Sequence, residues 1–241
     1  MTAMAASGLR SRMESLDLLA NNMANASTGG YKADREFYSL YTAPEAEDGG
    51  SSTTMPVVQQ HWTDLSQGPI TNTGNALDLA LSGKGFFSVS SPNGTLYTRN
   101  GNFHLSASGQ LVTSDGYPVQ SAAGTPLTAQ NSLPLDISRE GAITQGGQPI
   151  GQLDIADFTG EAGLTKQGTN YFRAADPTVK PSTPAGTTVE QGKLEASNTG
   201  TAESAVRLVS IMRQFEMLQK AAMIGNDMSK EAIEQVAKVG S

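Results

Sequence analysis

Apolar residues recur along the N-terminal stretch with a helical rhythm. Ala6, Leu9, Met13, Leu16, Ala20 and Met23 follow at steps of 3, 4, 3, 4 and 3, while Arg10, Arg12, Glu14 and Asp17 fall off the stripe. Such steps keep residues on one face of an α-helix, and a sustained seven-residue repeat is the seam of a coiled coil. The other end repeats the pattern. Thr201 to Val239 contains no Pro and one Gly, Gly225; Ala205, Leu208, Met212, Phe215 and Ala222 follow at steps of 3, 4, 3 and 7. Ile224, Met228, Ala232 and Val236 then drift to steps of four, as a straight helix does against a strict heptad. A long helix with an apolar seam is predicted at each terminus.

Between them, from about Gln67 to Gln191, the rhythm becomes short apolar runs cut by turn signals. The cuts are Ser82–Gly83, Asn93–Gly94, Asn100–Gly101, Ser108–Gly109 and Asp115–Gly116. Asn-Gly and Asp-Gly favour the positive-φ turns that match hairpin twist, so this region predicts a β meander or barrel-like body. Gly116 in particular is expected at positive φ. Tyr31 to Ser66 is mixed, with "PEAEDGGSSTTMP" polar and loop-like, and Ala175 to Gly186 reads as an irregular connection because of Pro177, Pro181 and Pro184.

One stretch resists the helical reading. "LDLLANNMANASTGGYK", Leu16 to Lys32, begins as a helix and then fills with Asn21, Asn22 and Asn25 before Gly29–Gly30. Asn competes for backbone hydrogen bonds and Gly permits the left-handed conformation, so a helix end and sharp turn are expected here. Polar residues in a seam also fix register and partner, which gives these three asparagines a second expected role, hydrogen bonding to neighbouring subunits.

Composition narrows the classes. Of 241 residues, 37% are hydrophobic and 6% aromatic, so the core is thin; the net charge of -7 argues against nucleic-acid or anionic-membrane surfaces, which want basic stripes. The absence of Cys excludes disulfides and thiolate chemistry. No apolar run reaches the roughly 20 residues of a membrane helix, and the first residues lack the charged-then-apolar signature of a cleaved signal peptide.

A search for chemistry returns little. His61 and His104 lack companions at metal-ligand spacing. "SGKGFF" fails as a phosphate loop, since Asp78 and Gly85 stand where Gly and Ser or Thr are needed; Ser88 at the third glycine position excludes the dinucleotide fingerprint. Asp154 and Asp157 read as solvated carboxylates, and the sequons at Asn25 and Asn93 are short enough to arise by chance. No catalytic, cofactor or metal site is expected. The two seams remain. Helices from both ends of one chain can pair, and a bare helix pair gains most of its stability from further burial against copies or relatives.

The motifs carry a family resemblance. "LANNMANASTGGYK" resembles the N-terminal motif of the bacterial flagellar axial proteins, the rod, hook and hook-associated subunits. Ala20, Asn21, Asn22, Ala24, Asn25, Thr28, Gly30, Tyr31 and Lys32 fit, and Met23 stands where Leu or Ile is usual. "TGNALDLALSGKGFFSV" and "YTRNGNFHLSASGQLVTSDGYPVQ" are similar to that family's β-domain opening and next hairpins, and "GKLEASNTG" resembles the motif opening its terminal helix, though Val is more usual than Thr199. Arg213 to Ala221, "RQFEMLQKA", is more similar to the proximal rod member than to the distal one; distal rod and hook-type subunits are the alternatives. A β-rich carbohydrate-binding or peptidoglycan-acting module is the alternative of a different class.

The resemblance implies an α+β fold in which a discontinuous α-helical coiled-coil domain, built from both termini, carries an inserted all-β domain. The expected bounds are an N-terminal helix over 1–31, a linker over 32–66, a β-rich domain over 67–196 and a C-terminal helix over 197–241. It implies a structural, non-catalytic rod subunit that needs no cofactor, transmits torque from motor to hook and sits in the basal body within the periplasm. Export would run through the flagellar type III apparatus without a cleaved signal peptide, with no membrane insertion and no nucleic-acid partner. The expected partners are further copies and other rod subunits. The expected subunit-packing residues are Leu9, Met13, Leu16, Ala20, Asn21, Asn22, Met23, Asn25, Leu208, Met212, Phe215 and Met228.

Overall fold

The structure is a computed structural model that describes residues 2–42, 54–130, 133–158, 163–176, 178–179 and 181–239. It is a mixed fold. Helix α1 (Thr2–Ala24) and helix α2 (Thr201–Val239) bracket strands β1 to β16. The chain divides into two compact units. The first joins α1 and α2 with β1 (Asp34–Thr42) and β2 (Thr54–Thr63, to Trp62), which pair as a two-stranded sheet inside the stretch expected as linker. The loop read at "PEAEDGGSSTTMP" lies largely outside the described residues.

Within this first unit α1 and α2 pack on each other. The buried face of α1 is Ser11, Ser15, Leu19 and Asn22. A Cβ added to Gly8 would sit 3.6 Å from Leu218 Cδ1, ordinary van der Waals contact, so small residues bring the helices together. On α2, Ser204 and Ile211 are buried and Leu208, Phe215, Leu218, Ala222 and Gly225 are half-buried. Those seven positions step 4, 3, 4, 3, 4 and 3, a regular seven-residue repeat. The repeat is displaced from the one expected. Ile211 takes the inward place assigned to Met212, and Met13, Ala20 and Met23 of the expected α1 seam face outward. The reason is steric: Gly8, Ser11 and Ser15 allow a closer approach than a methionine stripe would. The side chains of Ala6, Ala232 and Val236 lie outside those described.

The second unit holds residues 25–33 and 63–199. Strands β5 (Phe86–Ser91) and β6 (Gly94–Thr98) form a hairpin with Phe87 opposite Thr98 and Val89 opposite Leu96. It lies inside a five-stranded sheet ordered β12 (Ile155–Ala156), β5, β6, β14 (Tyr171–Ala174) and β13 (Leu164–Gln167). Strands β9 (Leu135–Ile137), β10 (Ala142–Gln145) and β11 (Gln148–Gln152) form a three-stranded sheet, and β7 (Phe103–Leu105) pairs with β8 (Leu111–Thr113). Two further pairs join early chain to late chain. β3 (Ile70–Asn72) meets β16 (Lys193–Glu195) with Thr71 opposite Leu194, and β4 (Leu79–Ser82) meets β15 (Thr188–Gln191) with Leu81 opposite Val189.

Strand alternation divides the apolar residues between two cores. Leu79, Leu81, Phe87, Val89, Leu96, Phe103 and Val189 belong to the larger cluster; Phe86, Tyr97, Ala156, Phe158 and Phe172 form the smaller. Neighbours Phe86 and Phe87 thus point to opposite sides of one sheet. The expected turn at Asp115–Gly116 is present: Gly116 N donates to Thr113 O at 2.8 Å and Gly116 has φ +83°. A Cβ there would meet nothing within 4 Å. Gly116→Val is therefore expected to cost about 1–3 kcal/mol through backbone strain alone; thermal melts of the variant beside the parent check it, and an unchanged midpoint would refute it. Gly101, expected in a positive-φ turn, is instead required by proximity, since a Cβ there would lie 1.7 Å from Leu79 O.

Tyr171 pins the same turn, donating to Asp115 Oδ2 at 2.6 Å, with Thr113 Oγ1 at 3.1 Å. Burial, and then the bond to Asp115, push its phenol well above the ordinary 10.0. An acid held protonated by the fold contributes fully below its unfolded value, and that contribution is lost as pH rises through the higher folded value. The unfolding midpoint is expected to fall above about pH 10, with Tyr171→Phe showing a shallower fall; equal alkaline slopes in the two proteins would count against this.

A buried ionic joint and the exposed helix faces

The turn after α1 delivers Lys32 into the β unit. Thr28 N donates to Asn25 O at 3.0 Å, and Thr28 Oγ1 lies 3.2 Å from Asn25 Oδ1. Gly30 follows at φ +67°, and its N–H donates to Glu195 O at 2.7 Å. A Cβ on Gly30 would lie 2.3 Å from Asn100 N, so only glycine fits both the conformation and the space. Tyr31 and Lys32 are then fully buried. Lys166 Nζ stands 4.2 Å over the Tyr31 ring and donates to Lys32 O at 2.9 Å, a cation–π contact backed by a hydrogen bond.

Lys32 Nζ donates to Glu195 Oε1 and to Ser66 O, both at 2.6 Å. Glu195 Oε1 also accepts from Gly68 N at 2.9 Å, and Glu195 Oε2 accepts from Arg99 Nη1 at 3.0 Å. Arg99 Nη2 donates to Gly83 O at 2.6 Å, and its guanidinium lies 5.4 Å from the centroid of the Phe86 ring. The side chains of Lys32 and Glu195 are 0% exposed and that of Arg99 is 3% exposed. Burial pulls the Lys32 and Arg99 pKa values down, and Glu195 opposes it in both; Asp64 adds support at Lys32 and Asp157 at Arg99. Buried charge is tolerable only when paired and hydrogen-bonded, and here one carboxylate serves two cations.

Asn198 completes the joint. Its Oδ1 accepts from Ala33 N at 2.8 Å, and its Nδ2 donates to Asp64 O at 2.7 Å. Lys32, Arg99 and Glu195 each lie inside a recognisable motif, yet sequence reasoning did not single them out. The available signal was a charged residue within the short motifs "GGYK", "YTRNG" and "KLEAS", the last of which also carries Lys193.

The expected packing residues distribute differently. Asn22 is buried in the first unit, where its Oδ1 accepts from Asp34 N at 2.9 Å and its Nδ2 donates to Asp34 O at 2.7 Å. Both ends of its amide thus bond within its own chain. Asn25 shapes the turn to Thr28, and Asn21 is exposed. Leu9, Leu16, Leu208 and Phe215 are half-buried. Met13 at 55%, Met23 at 41%, Met212 at 49% and Met228 at 60% are exposed, together with Ala20, Val206, Val209, Met217, Met223 and Ile224. That is a large apolar display for two helices. No helix among the described residues is long and apolar enough to cross a membrane.

The β unit is thus closed by an internal ionic joint, and the two helices display apolar residues. Residues 80–145 match the model of the flagellar hook protein FlgE/F/G D1 domain, and residues 190–235 match that of the flagellar basal body rod FlgEFG protein C-terminal region. The chain is 33% identical over 228 residues to the flagellar basal-body rod protein FlgF of Caulobacter vibrioides, covering 93% of this chain and 92% of the relative. It is also 33% identical over 246 residues to FlgG of Buchnera aphidicola subsp. Schizaphis graminum, covering 92% and 94%, and 33% identical over 253 residues to FlgG of Agrobacterium fabrum, covering 94% and 95%. The chain belongs to the family of flagellar basal-body rod proteins. It is a structural subunit of the rod, and membership implies assembly with other rod and axial subunits.

Proposed function

We propose that this subunit polymerises through the outward faces of its terminal helices, which coil with those of neighbouring subunits into the torque-bearing wall of the rod. The observation that supports it is the exposure of Met13, Ala20 and Met23 on α1 and of Val206, Met212 and Met228 on α2, while small residues hold the two helices together. The subunit performs no catalysis; it is exported by the type III apparatus without a cleaved signal and assembles in the periplasm. The FlgF-like, proximal position is favoured over the distal one. The FlgF alignment of 228 residues scarcely exceeds the stretch of this chain that it covers, whereas FlgG alignments of 246 and 253 residues over nearly the same share mean insertions in those relatives.

Met13→Asp tests the helix faces. The position is 55% exposed, so folding should change by no more than about 0.5 kcal/mol. In an assembled wall the carboxylate would be buried unpaired, at a cost of several kcal/mol or about a thousandfold in association. Cells carrying the variant are expected to export a folded subunit but to lack completed rods and to be non-motile. Normal swimming would refute the assembly role of this face. Complementation of strains lacking FlgF or FlgG separates the two positions: rescue of the FlgG-less strain alone would overturn the proximal assignment.

A further inference from the structure

The β unit is closed by the last of its own strands along the chain. Its local hairpins, such as β5–β6, join residues close in sequence, but β4 pairs with β15 and β3 with β16 across more than a hundred residues. The larger core reaches completion only with Val189. The joint is more demanding still. Lys32 and Glu195 are 163 positions apart, Arg99 and Glu195 96 positions apart, and Gly68 N reaches the same carboxylate across 127. No other side-chain carboxylate accepts a hydrogen bond from Lys32 or Arg99 among the described residues. Without Glu195 two cations would enter the interior with backbone carbonyls as their only hydrogen-bond partners.

We infer that Glu195 is a closure latch: the β unit, including hairpins that are not hydrogen-bonded to the C-terminal strands, gains stable structure only when the Thr188–Glu195 segment docks. Loop closure over so long a separation carries an entropic cost before any contact rewards it, and paired charge is the reward withheld until the end. A latch in the last strand of this unit keeps the unit open until all of its strands are free. Its use in keeping the subunit thread-like during export rests on the export reading above; the folding order itself does not.

Refolding of the purified full-length chain, followed by pulsed hydrogen exchange, tests the latch. Amides of Phe86–Thr98 are expected to gain protection in the same kinetic phase as those of Thr188–Glu195. Glu195→Gln should slow that common phase by about tenfold or more, while Glu190→Gln, on a half-exposed pair with Lys193, should stay within about twofold. Stable protection of Phe86–Thr98 in an earlier phase of the unaltered protein would overturn the inference, as would parental kinetics in Glu195→Gln. If Glu195→Gln does not fold at all, the phase order in the unaltered protein decides. Because the measurement uses purified protein, a failure of rod assembly or export in cells bears on the proposed function and leaves this result standing.

Discussion

Glu195→Ala is expected to lower the stability of the β unit by about 3–5 kcal/mol, the usual cost of removing one partner from a buried ionic cluster. Domains of this size are stable by only about 5–15 kcal/mol, so the variant should lose much of its margin. The cause is specific. Lys32 and Arg99 would stay buried without their hydrogen-bonded carboxylate, and Gly68 N would lose its acceptor. Urea unfolding followed by exchange protection of Phe86–Thr98 measures the loss in this unit alone. A triple variant, Lys32→Met with Arg99→Met and Glu195→Met, separates charge from packing: it should recover most of the loss, since apolar replacement of a whole buried cluster is often neutral. A triple variant as unstable as Glu195→Ala would show that shape, not unpaired charge, sets the cost.

Gly30→Val should be nearly as damaging, by about 3 kcal/mol or more, because two penalties add. A β-branched residue at φ +67° is strained, at about 1–3 kcal/mol. The side chain must also displace backbone, since even its Cβ would stand 2.3 Å from Asn100 N and 2.4 Å from Arg99 C. The displaced residue is Arg99 itself, so the clash propagates into the joint. Gly116→Val is the internal comparison, with the same class of φ and open space around it. Denaturation midpoints should order as parent, Gly116→Val, Gly30→Val; equal losses at the two sites would mean that the close approach at Gly30 relaxes freely.

What could be read from the sequence was what is encoded locally. The two helices, the hairpin signal at Asn93–Gly94 and the turn at Gly116 each follow from short patterns, and Gly94 and Gly116 do take positive φ. The facing of the helices was less legible. A stripe chosen by hydrophobicity passes over Gly8, Ser11 and Ser15, yet those small residues decide which side of α1 meets α2. The bonds of Asn22 to Asp34 were not legible, because Asp34 lies beyond a turn whose geometry the sequence leaves open. The joint was the least legible, because no local rhythm links Lys32 to a carboxylate 163 positions away. It was marked only by charged residues within three short motifs.

The convergence on Glu195 has a mechanical consequence. The backbone enters the β unit at Asn25, leaves it after Ala33, re-enters at Thr63 and leaves it after Thr199, and beside the first and last of these exits Lys32 and Glu195 hold each other directly. Tension on the chain at both ends of this unit is therefore short-circuited through one salt bridge, the Gly30–Glu195 bond and the Asn198 clamp. The sheets beyond that load path carry little of it. Their outlying turns, at Asn93–Gly94 and Gly146–Gly147, can then lengthen or change without weakening the member that bears the strain.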